Sequence, residues 1–307
     1  MKAVYFNEQG GLDVFVYGDL PDPVAGPGEV IVDIHAASVN AADAKVRAGH
    51  YSQITDFPYI CGRDFSGTVA ALGDGVDEFA VGDAVWGVCD VGQEGTYAEK
   101  IAMKAALIAK KPDDYSHEDM TAVGVAALTA VITLEETLKL LAGDKILIQG
   151  GAGGVAGLAI QLAKHIGAHV VTTASAANHD HVRSLGADEV IDYNAQDFTQ
   201  VVSDCDAVFD TVGGEVTQRS FMVLKPGGRA AFIASGGKAP PSPRDDVESL
   251  RPAVGRDRPH LERIVELLRA GAFAIPVITT YPLKEAAEAQ RVSESRHLRG
   301  KLILKVR

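Results

Sequence analysis

The sequence predicts an α/β protein of two domains: a doubly wound parallel sheet and a smaller, strongly bent β-domain. Three observations lead there. An apolar strand pattern at residues 145–149 runs into a glycine cluster and then into a helical apolar run at residues 158–166, the order expected of strand, tight turn and helix. Further apolar strands recur at α/β intervals at residues 169–173, 189–193, 206–210 and 229–234 with helical segments between them, which specifies a parallel sheet that binds ligands at the carboxyl ends of its strands. The first hundred residues instead carry short runs at 2–6, 14–17, 29–36, 67–72, 84–88 and 97–102, punctuated by Gly-Pro and Gly-Asp turns, a β-rich pattern.

Taken in order, Pro21 to Gly28 is an extended connection and Leu72 to Asp77 is turn material. Ser38-Val-Asn-Ala-Ala-Asp-Ala-Lys-Val-Arg-Ala-Gly-His-Tyr51 interrupts the β pattern. There Asn40 can cap a short helix with Asp43 in its first turn, or both side chains can face a binding site. Ser116-His-Glu-Asp-Met120 opens a helix with a capping-box-like pattern, and the alanine-rich run to Leu141 continues it. Residues 236–259, rich in Pro and Arg, read as a loop, either a mobile cover or a subunit contact. A helix at 260–270 should finish the nucleotide domain. Strands at 275–281 and 301–306 flank a helix at 283–295. The expected domains are 1–117, 118–272 and a C-terminal return, 273–307, to the first domain.

Bulk properties narrow the function. With 307 residues, 47% hydrophobic and 23% charged, the chain is long enough for two cores. A net charge of -12 argues against nucleic-acid or anionic-membrane partners, which call for a basic face. No apolar run is read as a membrane span, and Met1-Lys2-Ala3-Val4-Tyr5-Phe6 has no signal-peptide h-region, so a cytoplasmic protein is expected. Cys61, Cys89 and Cys205 are odd in number and widely spaced, arguing against a structural zinc site or a disulfide framework. His165, His169, His179 and His181 have no partners at metal spacing and read as surface or capping residues.

The glycine stretch, Gly151-x-Gly153-x-x-Ala156, fits the loose dinucleotide fingerprint, in which the first glycine makes the turn and the second lets backbone approach a pyrophosphate. The helix start then offers free N–H groups and a positive dipole end. An NAD-selective protein places an acid at the tip of the second strand, about 20 residues beyond the glycines. Here Thr173 leads into Ala174, Ser175 and Asn178, with no acid. Ser175, Asn178 and local N–H groups can donate to a 2'-phosphate, with Tyr193 as a further hydroxyl, so NADPH is the expected cofactor. Ser175 and Asn178 can equally cap the next helix.

On these residues the chain resembles the zinc-independent quinone oxidoreductases of the medium-chain dehydrogenase/reductase superfamily. The blocks that carry the likeness are Pro27-Gly-Glu-Val30, Ser38-Val-Asn-Ala-Ala-Asp43, Gly62-Arg-Asp-Phe-Ser-Gly67 and Val81-Gly-Asp-Ala-Val85. They continue through the glycine loop, Leu185-Gly-Ala-Asp-Glu-Val-Ile-Asp-Tyr193 and Leu298-Arg-Gly-Lys-Leu302. The resemblance implies a Rossmann sheet plus a GroES-like β-domain. In zinc alcohol dehydrogenases of the superfamily a cysteine stands where Asn40 is, and a Gly-His-Glu block where Gly62-Arg63-Asp64 is. Losing a thiolate and an imidazole disfavours zinc chemistry.

The resemblance further implies hydride transfer from NADPH to a quinone or an α,β-unsaturated carbonyl, with Asn40 to Asp43 and Tyr51 lining the cleft beside the nicotinamide. Asn40 is then the candidate amide donor and Tyr51 a candidate proton donor, with water as the alternative. Thr129 is expected on the nicotinamide side, with Gly151, Ala152, Gly153, Gly154 and Val155 at the pyrophosphate. Val212, Gly213, Ile233, Ala234 and Ser235 are expected along the nicotinamide half, with Arg299 and Lys301 in a segment returning to the site or, alternatively, in an exposed turn. Ala156 replaces the usual third glycine and is read as close helix packing. A homodimer is common among such proteins. Two rival functions stay open: an enoyl-thioester reductase and an NADPH-binding redox sensor with little turnover.

Overall fold

The computed structural model describes residues 1–51, 53–90, 92–295 and 299–307; Leu298, the first residue of the last block above, lies outside them. The chain divides into two compact units. The first is Met1–Val125, Arg256–Val265 and Ile275–Arg307, and the second is Ala126–Gly255 and Glu266–Ala274.

The second unit is a six-stranded, wholly parallel sheet. Its spatial order is Glu189–Asp192, His169–Ala174, Lys145–Gln149, Cys205–Asp210, Leu224–Phe232, Glu248–Leu250. Numbered along the chain this is 3-2-1-4-5-6, the dinucleotide-binding order, in which the sequence reverses direction on either side of the first strand. Strand Lys145–Gln149 is central because Ile146, Leu147 and Ile148 are completely buried, as a strand covered on both faces requires. The sixth strand lies within the stretch read from sequence as loop. Its register, Arg229↔Glu248 to Ala231↔Leu250, is steadied by Arg244, which donates to the carbonyls of Phe221 and Leu224 at 3.0 and 2.7 Å and pairs with Asp246.

The first unit contains a three-stranded antiparallel sheet, Val16–Asp19, Lys2–Phe6, Tyr59–Ile60, and a larger seven-stranded one. The larger sheet runs Ile278–Pro282, Lys301–Lys305, Glu29–Val39, Asp64–Leu72, Ala84–Val88, Ile108–Lys110, with Lys100–Lys104 also paired to Glu29–Val39. The 11-residue strand Glu29–Val39 is its spine. Register shifts at Ile31/Val32 and Ile34/Ala36 are the bulges that bend a long strand. Beyond them its carboxyl half pairs with Phe65 and Ser66 on one side and with Leu302 to Lys305 on the other.

Two expectations about helices need correction. Of the helix expected to finish the nucleotide domain, the part up to Val265 groups with the first unit, where Arg258 donates to the carbonyls of Ile108 and Ala105 at 3.0 and 2.7 Å and pairs with Glu78, and Glu266–Ala274 groups with the second. Helix His117–Val131 is not continuous, since Gly124 leaves helical geometry at φ -37°, ψ -106°. With the wide turn Ile132–Thr137 that follows it, this segment is long and apolar enough to cross a membrane, contrary to the sequence reading. Yet 78% of that window is buried in the structure, as suits a core helix.

Candidate functional site

In the first unit the sequence-flagged residues fall into a buried polar network. Strands Glu29–Val39 and Asp64–Leu72 are antiparallel with Ala37 opposite Phe65, which brings Ser38 beside Asp64. The Asp64 carboxylate is completely buried and accepts from three donors: the Ser38 hydroxyl, the Asn40 amide at 2.6 Å and the Val125 N–H at 2.5 Å. The last of these explains the helix kink, for Asp64 accepts from the Val125 N–H just after Gly124 much as a capping side chain does. Gly124 is required there, because a Cβ at that position would collide with Asp64 Oδ1.

Strand Lys301–Lys305 supplies the cation. Since Leu302 pairs with Val39, the Lys301 ammonium reaches Asn40 Oδ1 at 2.7 Å and the Val39 carbonyl at 3.4 Å, and it lies 4.0 Å from Asp64 Oδ2. Lys301 is 5% exposed, and burial pushes its pKa below the usual lysine range against the pull of Asp64 and Asp43. Asn40 is thus held at both ends of its amide: its oxygen by Lys301, its nitrogen by Asp64. It also stands at the N-cap of helix Ala41–Arg47, in a capping box with Asp43, as its place in the sequence suggests.

Asp43 is its partner at the start of that helix, accepting from the Asn40 N–H at 2.8 Å and the Tyr97 hydroxyl at 2.9 Å through one oxygen. Its other oxygen, Oδ1, is buried without a hydrogen-bond partner among the described residues. Burial raises the Asp43 pKa to about 6, partly offset by the Asn40 N–H, Arg63 and Tyr97. Arg63 makes a buried ion pair with Glu94 through Nε and Nη2 at 3.1 and 2.9 Å, and Glu94 also accepts from the Tyr59 hydroxyl at 2.5 Å. The Arg63 guanidinium lies 5.2 Å from the ring centre of Tyr51, a cation–π distance. Tyr51 is 43% exposed. Of the two C-terminal candidates, Lys301 enters the network, and Arg299 is exposed. The three cysteines are buried thiols.

In the second unit the expected residues gather at the carboxyl ends of the parallel strands. The turn after Lys145–Gln149 is made by Gly150, not Gly151: Gly150 has φ +77°, a conformation open to glycine at little cost. Gly151 is needed for a different reason, since a Cβ there would collide with the Thr172 hydroxyl, which donates to the Ile148 carbonyl at 2.6 Å. Gly153 then caps helix Gly154–Ile166, and Ala152, Gly154 and Val155 complete the turn. Ala156 is 1% exposed, in keeping with close packing of helix on sheet.

Thr173 is buried behind this turn. Its hydroxyl donates to Gln149 Oε1 at 2.8 Å and accepts from the Gly150 N–H at 3.0 Å, so it braces the turn. Ser175 and Asn178 bond to one another, Asn178 Nδ2 to Ser175 Oγ at 3.2 Å, and Tyr193 is 54% exposed. After strand Cys205–Asp210, the buried Asp210 carboxylate accepts from the N–H groups of Val212 and Gly213 at 2.8 and 2.9 Å and from Thr217 at 2.8 Å. Gly213 has φ +78°, and a Cβ would lie 2.8 Å from that of Ala234, so these two turns are packed together. Ile233 donates to the Asp210 carbonyl at 3.2 Å, and the Ser235 hydroxyl to the Lys238 carbonyl at 3.1 Å. Thr129 is 6% exposed in helix His117–Val131.

Sequence reasoning missed Asp64, Ser38, Glu94, Gly150 and Asp210. Asp210 alone carried a local signal: an acid at the end of an apolar strand followed by Thr-Val-Gly-Gly is a turn-forming pattern.

Strand order and glycine turn define a dinucleotide-binding protein. The zinc-binding dehydrogenase family matches residues 185–304, and the alcohol dehydrogenase GroES-like domain matches residues 26–113. A 2-haloacrylate reductase from Burkholderia sp is 30% identical over 99% of this chain and 98% of its own length. A chloroplastic NADPH-dependent alkenal/one oxidoreductase from Arabidopsis thaliana is 31% identical over 99% of this chain and 79% of its own. The solved quinone oxidoreductase of Coxiella burnetii superimposes with a TM-score of 0.91 at 32% identity, covering 100% of this chain and 99% of its own. The chain belongs to the medium-chain dehydrogenase/reductase superfamily, in its quinone oxidoreductase branch.

Proposed function

We propose that the protein is an NADPH-dependent reductase that delivers hydride to a quinone or an α,β-unsaturated carbonyl without zinc. The observation that carries the reading is the Asn40–Asp64–Lys301 network. At the places where zinc members of the superfamily carry a cysteine and a histidine-containing block, this chain has an amide held by an ammonium, a carboxylate already accepting from three donors, and Arg63 paired to Glu94. A dication brought there would meet built-in positive charge, and no thiolate or imidazole to bind it.

The residues present fit the cofactor. The Gly150 turn, the close approach allowed by Gly151 and Gly153, and the free N–H groups at the head of helix Gly154–Ile166 would hold the pyrophosphate. Strand His169–Ala174 ends without an acid, which leaves Ser175, Asn178 and Tyr193 to receive a 2'-phosphate, as the sequence argument for NADPH requires. Val212, Gly213, Ile233, Ala234, Ser235 and Thr129 would line the nicotinamide half. When bound, the reduced nicotinamide supplies the hydride.

The protein's share is to bind, orient and accommodate charge. Hydride arriving at the β-carbon of an enone pushes the π pair onto the carbonyl oxygen, and a proton then completes the saturated product. Lys301 positions the Asn40 amide, and the Tyr51 hydroxyl, exposed and with no hydrogen bond among the described residues, is the proton donor we propose. For setting, we propose the cytoplasm and a homodimer, on the acidic charge balance and the resemblance.

The test is NADPH oxidation by chelator-treated protein with a quinone, a simple enone, an alkenal and an enoyl thioester. Turnover of the first three is expected, with tighter binding of NADPH than NADH. A zinc requirement for activity, or indifference to nicotinamide nucleotides, would overturn the reading.

A further inference from the structure

We propose that Arg256, with Arg63 beside it, is the seat for a carboxylate on the hydride acceptor, so that the preferred substrate is an electron-poor alkene bearing an anionic group. This rests on the reductase reading above and narrows it to a substrate class.

Arg256 is 9% exposed, and its hydrogen bond among the described residues goes to the Cys89 carbonyl. No carboxylate among them comes within ion-pair distance of it. Other arginines of the chain have such partners: Arg63 has Glu94, Arg229 has Asp144, Arg244 has Asp246 and Arg258 has Glu78. A guanidinium carries five donors in a planar fork, and withdrawing it from water without a counter-ion is costly. The structure therefore holds a nearly buried cation with no ion-pair partner among the described residues, and its other nitrogens are not among the buried unpaired atoms, so that side of the fork is open.

Its surroundings say what would satisfy it. The Cys89 N–H donates to the Arg63 carbonyl at 2.8 Å, so Arg256 is anchored on the residue bonded to the backbone of Arg63. Arg63 in turn carries the exposed ring of Tyr51 over its guanidinium. Burial and the Arg63 charge both push the Arg256 pKa down, while Asp64 and Asp90 pull it up from a distance. The remaining carboxylates of the neighbourhood are engaged elsewhere: Glu94 by Arg63 and Tyr59, Asp64 by Ser38, Asn40, Val125 and Lys301, Asp43 by Asn40 and Tyr97. One planar cation without a direct partner matches one planar monoanion, which a guanidinium fork binds bidentately. Tyr51 offers a flat face to the conjugated chain attached to it.

The test compares β-benzoylacrylate, an enone with a free carboxylate, against its methyl ester. The unaltered protein should reduce both and prefer the acid in kcat/KM. Arg256→Gln should lower the acid-to-ester ratio about tenfold to hundredfold, the value of a charge-assisted hydrogen bond, mainly through KM for the acid, and Arg256→Lys should restore part of it. Should the glutamine variant fail to fold, the unaltered protein still decides: the saturated acid β-benzoylpropionate should compete with the ester, and its own methyl ester should not. Reduction of the ester without preference for the acid, an unchanged ratio in Arg256→Gln, or a variant whose defect is weaker NADPH binding with the ratio preserved would each overturn the proposal while leaving the reductase reading intact. Failure of both substrates and of the neutral quinone would overturn the two together.

Discussion

Replacing Asp64 with Asn tests the network most directly. The carboxylate is fully buried, accepts from Ser38, Asn40 and Val125, and faces the Lys301 ammonium at 4.0 Å. At that distance two unit charges attract by roughly 4 kcal/mol at an effective dielectric constant of about 20. An amide also turns one acceptor oxygen into a donor facing donors. Removing one side of a buried pair costs about 3–5 kcal/mol, so Asp64→Asn should destabilise the first unit by about that much. Lys301→Met should cost less, because it also removes an ammonium that burial already disfavours. In a double-mutant cycle the pair should show coupling of roughly 2–4 kcal/mol. Trp86, the chain's one tryptophan, is completely buried and lies opposite Ser66 in the neighbouring strand. Its fluorescence during urea unfolding therefore reports on this unit. Additivity within about 0.5 kcal/mol would show that the two charges do not stabilise one another, and the argument for a built-in cation would fall.

Two further outcomes are expected. Asp43, with a native pKa raised to about 6 from 3.8, binds a proton in the folded state that the unfolded chain has released. Its ionisation therefore costs stability that appears as pH rises from about 4 through 6, reaching about 3 kcal/mol by pH 8. Asp43→Asn should gain on the unaltered protein by roughly 2 kcal/mol between pH 4 and pH 8 in thermal unfolding, and a pH-independent difference would contradict the raised pKa. Gly151→Ala forces a methyl onto the Thr172 hydroxyl at a cost of about 1–3 kcal/mol. NADPH titration should show weakened binding, and unaltered affinity and melting temperature would mean the turn has room the structure does not.

The fold was legible because its signals are local. An apolar strand, a glycine cluster and a helical run announce the parallel sheet within some twenty residues, and strand Lys145–Gln149 lies where the pattern puts it. The sixth strand was not legible: Glu248-Ser249-Leu250 has no apolar alternation, and it is held by pairing with Arg229 to Ala231 and by Arg244, which reaches back to the carbonyls of Phe221 and Leu224. Adjacent glycines do not reveal which will take positive φ, so Gly150 and Gly151 exchanged roles. Asn40, Asp43 and Lys301 could be named from motifs, but their mutual roles could not. Asn40 meets Lys301 across 261 positions of sequence, a contact fixed by the Leu302↔Val39 register. Asp64 acquires its meaning only when a helix kink presents Val125 to it.

That placement bears on the chemistry. A metal ion can bind a substrate oxygen directly and polarise it; a lysine woven into a strand, already bonded to Asn40 and the Val39 carbonyl, can chiefly fix the amide and set the local field. An enzyme with so indirect an electrophile has little leverage over an unactivated carbonyl. It must draw its acceptors from molecules that are electron-poor beforehand, where conjugation lowers the barrier to hydride addition and the protein need only orient the alkene and shelter the charge that develops. The same reasoning gives Arg256 its part: pairing a substrate carboxylate with a buried guanidinium offsets a negative charge that would otherwise resist the incoming hydride.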